Sequence, residues 1–274
     1  MDKQVAQRMV MAFLLMAGLI TAVFSRADKA RSSPLTDFCQ TVTEIPLPEC
    51  EALVAVYTAT DGENWGNSSG WLVEVNPADW FGVVVEDGHV SGLLLPNNHL
   101  QGVLPAEIGA LTHLRELNLR GNQLSGSLPA EIGGLSQLSI LDLSNNQFSG
   151  SLPAGLFNLT SLQYLYLDHN EFGGTLPHAL GSLTALKVLW LNDNLLLGFP
   201  PASITDLTEL FDPGALQPGN LDGLNLNNNR FCVPAGYPSA GDALHQFLHQ
   251  KDPDFHLHQT CTPLFDVYLP MVRR

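Results

Sequence analysis

From Leu111 onward the apolar positions return on a 24-residue cycle. The chain reads LTHLRELNLRGNQLSGSLPAEIGG, then LSQLSILDLSNNQFSGSLPAGLFN from Leu135, LTSLQYLYLDHNEFGGTLPHALGS from Leu159 and LTALKVLWLNDNLLLGFPPASITD from Leu183. A partial unit starts earlier at Val90, and a last one, LDGLNLNNNRF, starts at Leu221. Gapless units in register mark a repeat architecture, to be read before any single element. In each unit a Leu-x-Leu pair (Leu117/Leu119, Leu141/Leu143, Leu165/Leu167, Leu189/Leu191) has the two-residue period of a short strand with one buried face.

The polar positions recur as strictly as the apolar ones. Asn98, Asn122, Asn146, Asn170, Asn194 and Asn229 hold one place in the cycle. A side-chain amide both donates and accepts, so a stack of them satisfies backbone groups where the chain turns inward. Gly102, Gly126, Gly150, Gly174 and Gly198 supply bends. The Leu-Pro pairs from Leu104-Pro105 to Leu176-Pro177 bury one side chain and then fix an extended back wall. One coil cannot bury both of its leucine rows, so stability must come from stacking on neighbours.

The pattern LxxLxxLxLxxNxLxGxLPxxLGx resembles that of plant-type leucine-rich repeats, found in plant receptor ectodomains and in secreted bacterial proteins. The resemblance implies an α/β fold: a right-handed leucine-rich-repeat solenoid with parallel strands on its concave face, closed by a helical, Trp-rich N-terminal cap and a helical C-terminal cap. Residues 90–231 carry the repeats, 28–89 the first cap and 232–274 the second cap and tail. Residues 48–59 read as a helix with Leu53, Val56 and Tyr57 on one side, stopped by Asp61-Gly62. Trp65, Trp71 and Trp80 follow closely, and read as a lid of large apolar area rather than a binding platform. The segment NPADWFGVVVEDGHV resembles the family's cap motif NPCxWxGVxC, with Ala78 and Val85 where that motif has cysteines.

Four cysteines allow three pairings. Five coils at about 4.8 Å per strand hold the two ends roughly 25 Å apart, while disulfide Cα atoms lie within about 7 Å. Cys39–Cys50 and Cys232–Cys261 are therefore the expected pairs, and both suit an oxidising compartment. At the other end, DALHQFLHQKDPDFHLHQTC is expected to contain a cap helix with Leu244, Phe247 and Leu248 inward, stopped before Pro253. The tail LFDVYLPMVRR reads equally as a last strand or a sorting signal. The segment Phe211–Asn220 interrupts the last repeat, and Pro200 replaces the usual leucine before Pro201.

Composition narrows the compartment and the partner. Lys3 and Arg8 precede an apolar run, Met9–Phe24, and Ser25-Arg26-Ala27 offers a cleavage site, so residues 1–27 are expected to be a secretory signal peptide. An uncleaved N-terminal anchor is the alternative, and no membrane span is expected in the mature chain. A formal charge of −15, with few basic residues between Arg31 and Lys251, excludes a ligand held by its phosphates, so no nucleic acid is expected.

On such a solenoid the positions flanking the strand leucines face the concave side. They include Glu116, Asn118, Ile140, Asp142, Ser144, His169, Lys187, Val188 and Asn192. A ligand-binding patch is expected on Tyr164, Tyr166 and Trp190, flanked by Arg115, Arg120, Asp168 and Asp193, since Tyr, Trp and Arg dominate binding hot spots. Asp142 and Asp168 are expected to form a solvated face, since nothing supplies a nucleophile with a base. His245, His249, His256 and His258 have a spacing that metal ligands can use, but read as exposed cap residues; no metal and no cofactor is expected. Asn67 and Asn158 lie in glycosylation sequons. The chain is thus expected to be a secreted or cell-surface, non-catalytic recognition module for a protein or polysaccharide. An inhibitor of a secreted hydrolase is the second reading, and a cell-wall hydrolase the third.

Overall fold

The computed structural model describes residues 38–211, 223–231 and 243–252. The leader, the end of the insertion after Phe211, the pairing of Cys232 with Cys261, His256, His258 and the tail lie outside the described residues. Helix α1 (Leu47–Ala59) opens the cap, and a disulfide joins Cys39 to Cys50 at its N-terminal turn. In chain order there follow β1 (Val83–Glu86), β2 (His89–Leu94), β3 (Gln101–Val103), β4 (Glu116–Asn118), β5 (Gln123–Ser127), β6 (Ile140–Asp142) and β7 (Gln147–Ser151). After them come β8 (Tyr164–Tyr166), β9 (Glu171–Gly173), β10 (Val188–Trp190), β11 (Leu197–Gly198), β12 (Leu224–Asn225), β13 (Arg230–Phe231) and α2 (Ala243–Lys251).

Each coil gives one strand to a principal sheet ordered β1-β2-β4-β6-β8-β10-β12. All its pairings are parallel except that of β1 with β2. The register stacks Leu93, Leu117, Leu141, Leu165, Leu189 and Leu224 in one line, and every member is at most 1% exposed. A second parallel sheet, β3-β5-β7-β9, runs beside it where the chain bends away from the concave wall. Short 3₁₀ helices such as Ala106–Ala110 and Ala130–Gly134 form the back wall, each entered from the proline of the Leu-Pro pair. The interrupted last coil keeps the same register, with Leu224 beside Leu189 and Asn225 beside Trp190. Pro200 is buried where the other coils place leucine.

The repeated asparagine completes the backbone hydrogen bonding between coils. Asn146 Oδ1 accepts from Leu124 N at 3.0 Å, while its Nδ2 donates to Leu119 O at 3.0 Å and Leu143 O at 3.1 Å. Asn170, Asn194 and Asn229 repeat the arrangement one coil further on each time. One residue earlier sits a column of left-handed backbone: Asn97, Gly121, Asn145, His169, Asp193 and Asn228 all have φ between 51° and 68°. Asn, Asp, His and Gly are the residues that tolerate this region.

Both ends of the stack are closed by polar as well as apolar groups. At the first end Tyr57, Trp65, Trp71 and Trp80 pack ring against ring, with centroids 4.9–5.8 Å apart. Their indole N–H groups donate to the carbonyls of Thr60, Phe81 and Glu74, so the tryptophans are a lid, as their spacing suggested. Asn98 exchanges hydrogen bonds with the Asn67 backbone in both directions, fastening lid to first coil. Gly102 has φ 117°, and a Cβ there would run into the Ala59 carbonyl at the end of α1. At the far end Asp252 Oδ2 accepts from Leu226 N at 2.8 Å, and Lys251 Nζ donates to Leu210 O at 2.6 Å.

The amide ladder yields a stability prediction. Asn146→Ala leaves the Leu124 N–H and the Leu119 and Leu143 carbonyls buried without this partner, each costing about 1–3 kcal/mol. Urea unfolding should show a loss of about 3 kcal/mol or more, while Asn145→Gly, which keeps the left-handed backbone at an exposed neighbouring position, should cost far less.

Candidate functional site

The concave face is set by two facts already described: strands stack in register, and only their leucines point inward. The residues between the paired leucines form a row, Asn118, Asp142, Tyr166 and Trp190. Tyr166 and Trp190 lie side by side in register, and their rings meet edge to face at 5.3 Å and 84°. Tyr164 sits on the same strand, with Lys187 Nζ 6.0 Å from its ring centroid. Gln163 Oε1 holds that ammonium at 2.8 Å. All three rings are half-buried, so each keeps an accessible side. Burial, together with Asp142, Tyr164 and Asp168, pushes the Tyr166 hydroxyl up to about 12, which keeps it a hydrogen-bond donor throughout the neutral range.

Several residues expected on the open surface lie beneath it. Asp142, Ser144, Asp168 and Asn192 are 3–8% exposed, and Val188 is fully buried. Neighbouring coils are only about 4.8 Å apart, so long side chains such as Tyr166, Trp190 and Arg120 cover the short ones between them. Asp142 and Asp168 are therefore not a solvated face. Asp142 Oδ1 accepts from Ser144 N and Oγ, and its carboxyl is raised above the ordinary 3.8 by burial, which outweighs the Ser144 hydrogen bonds and nearby Arg120.

Asp168, expected to flank the rings as a surface contact, is instead the buried end of a relay across two coils. Its Oδ2 lies 2.9 Å from His169 Nδ1, and His169 Nε2 lies 3.4 Å from Asp193 Oδ2. Asp193 accepts further hydrogen bonds from Asn192 Nδ2 and Asn228 Nδ2. The left-handed column brings His169, Asp193 and Asn228 together, and their mutual pairing could not be foreseen from spacing alone. Among the described residues, Asp168 Oδ1 and Asn192 Oδ1 are buried acceptors without a partner, at equivalent places on adjacent coils.

The two arginines separate. Arg120 is exposed beside Asp142 and Tyr166. Arg115 is exposed on the same coil as Arg120, but it is ion-paired with Glu86 of β1, on the side away from Tyr166. The structure thus gathers Tyr164, Tyr166, Trp190, Arg120 and Asp193 on one stretch of the face, submerges Asp168 and leaves Arg115 at its N-terminal edge.

A stacked solenoid with parallel strands on its inner wall, and half-buried aromatic rings along that wall, defines a repeat protein of leucine-rich type. The chain belongs to the leucine-rich repeat family. Residues 94–210 match the leucine-rich repeat region. The ectodomain of the receptor kinase SOBIR1 from Arabidopsis thaliana is similar at 31% identity and a TM-score of 0.53, over 61% of this chain and 90% of that one. PEPR1, solved with AtPEP1, is similar at 30% identity and a TM-score of 0.58, over 67% of this chain. The Arabidopsis receptor kinase HAESA, solved with an IDA peptide hormone ligand, is similar at 29% identity and 0.58, over 68% of this chain. This chain spans only 25% of PEPR1 and 30% of HAESA. Among curated protein sequences none matches it. No helix among the described residues is long and apolar enough to cross a membrane.

Burial of Asp142 has a consequence for stability against pH. A carboxyl whose folded pKa is raised binds its proton more readily folded than unfolded, so stability falls as pH rises from about 3.8 through the folded value. Asp142→Asn keeps the acceptor for Ser144 and removes the charge. Its urea midpoint should exceed that of the native chain at pH 7, and the difference should shrink at pH 3.5, below the ordinary carboxyl value.

Proposed function

We propose that the protein is an extracellular, non-catalytic recognition module that holds a protein ligand across its concave face, over Tyr164, Tyr166 and Trp190. The observation that carries this reading is the edge-to-face Tyr166–Trp190 pair, exposed along one side on an otherwise polar wall. Rigid aromatic side chains supply large contact area at low entropic cost, and such residues dominate interface energetics. Arg120 and the Tyr166 hydroxyl add donors at the edge of the rings.

The similar PEPR1 and HAESA structures hold AtPEP1 and a peptide hormone, which supports a peptide or protein as ligand. The net charge of −15 favours a partner of basic character. An enzyme inhibited by this chain would use the same face and the same rings. The leader and the Cys39–Cys50 bridge support export to an oxidising compartment. The boundaries at 28–89, 90–231 and 232–274 divide this module into lid, repeats and lid.

Affinity capture from secreted protein and, in parallel, from wall polysaccharide, followed by calorimetry with the captured partner, tests the reading. Tyr166→Ala and Trp190→Ala should each weaken binding roughly tenfold or more, with the fold intact by circular dichroism. Glu107→Ala, on the back wall, should leave the affinity unchanged. Equal affinity of all three variants would refute the site, and capture of wall polysaccharide alone would refute a protein ligand.

A further inference from the structure

Away from the concave patch, three segments of chain bring metal-ligating groups to one point. Glu49 lies in the first turn of α1, His89 opens β2, and His113 precedes β4 one coil later. The two histidines are 24 residues apart, so they occupy the same place in consecutive coils; the next coils carry Gln137, Ser161 and Ala185 there. Their rings stack at 3.6 Å and 19°. Glu49 is 3% exposed. Its Oε2 is fixed by Val90 N at 2.7 Å, which leaves Oε1 turned to His89 Nδ1 at 2.6 Å and to His113 Nδ1 at 3.8 Å.

We propose that Glu49, His89 and His113 bind a first-row divalent cation, with Zn²⁺ the best fit to the donors. The three ligand atoms lie within 4.8 Å of one another. Zinc sites use imidazole nitrogen at about 2.0–2.1 Å and carboxylate oxygen at about 2.0–2.2 Å, which places ligands about 3.3 Å apart. The two observed separations from Oε1 bracket that value, and the two stacked rings, both partly exposed, must splay apart to aim each Nδ1 at one ion. Both histidines are partly exposed, 33% and 42% in their side chains, and this opens a path for the ion and a fourth position for water. The hydrogen bond from Val90 N to Glu49 orients the carboxylate, as outer partners do in built metal sites. The proton that His89 Nδ1 shares with Oε1 gives way to the cation.

A cation held here would join the cap helix to the first two coils, at the end of the stack where this chain has Ala78 and Val85 in place of the cap motif's cysteines. The site is independent of the concave face, so it stands or falls apart from the ligand-binding proposal.

The test is Zn²⁺ titration of the oxidised full chain, by calorimetry and by competition with a chromophoric chelator. The expected result is one high-affinity ion per chain, and a rise in Tm of roughly 5–10 °C at a hundredfold excess over Kd, reversed by EDTA. His113→Gln, at a partly exposed position, should fold normally, lower the affinity by about 100-fold and abolish the Tm shift. A variant with His245, His249, His256 and His258 replaced by alanine should keep the high-affinity ion. Failure of the native chain to take up Zn²⁺ would overturn the proposal. So would uptake indifferent to His113→Gln, or lost in the four-histidine variant.

Discussion

No coil of this protein is complete by itself. The strand of each coil hydrogen-bonds to its neighbours, its leucines are covered by theirs, and its asparagine carboxamide closes backbone groups on the coil before it. The amide ladder matters most, because a leucine row could slide or loosen at modest cost, while a buried carbonyl or N–H without a partner cannot be tolerated. Asn146 touches backbone from Leu119, Leu124 and Leu143 with one side chain. A repeat that depends on such bridges must hold the spacing from strand leucine to asparagine, and the last coil keeps it from Leu224 to Asn229 although the chain before it is longer.

The same dependence turns the ends of the stack into structural problems, and the two are solved with different chemistry. At the first end an aromatic lid covers the leucines, while Glu49 takes the Val90 N–H and Asn67 substitutes for a missing coil against Asn98. At the other end a short helix brings Asp252 and Lys251, one acceptor and one donor, to the Leu226 N–H and the Leu210 carbonyl. Each lid therefore combines apolar cover with a polar partner for a particular unpaired backbone group, as capping repeats must.

Because stacking satisfies the backbone, the inner wall is largely relieved of structural duty, and its side chains can vary from coil to coil. That freedom is not uniform. Close coil spacing submerges short polar side chains, so Asp142, Asp168 and Asn192 belong to the wall while Tyr166, Trp190 and Arg120 belong to the surface. On the proposed reading a ligand would meet the long residues directly, while the short acidic ones shape the donors and charges around them, as Asp142 does for Tyr166.

The 24-residue period, the leucine register, the asparagine ladder and the tryptophan lid were all legible in the chain, since each follows from a local pattern repeated at fixed spacing. The Cys39–Cys50 pair was legible too, because a solenoid keeps its two ends apart. Depth was not legible: strand alternation says which way a side chain points, but whether Asp168 reaches solvent depends on the size of its neighbours in adjacent coils. Nor was the meeting of Glu49 with His89 and His113, or of His169 with Asp168 and Asp193. Such groupings join residues from separate coils, or from cap and coil. Their distances are fixed only when the coils stack and the cap helix docks, so the repeat determined the scaffold while tertiary packing decided which side chains share a site.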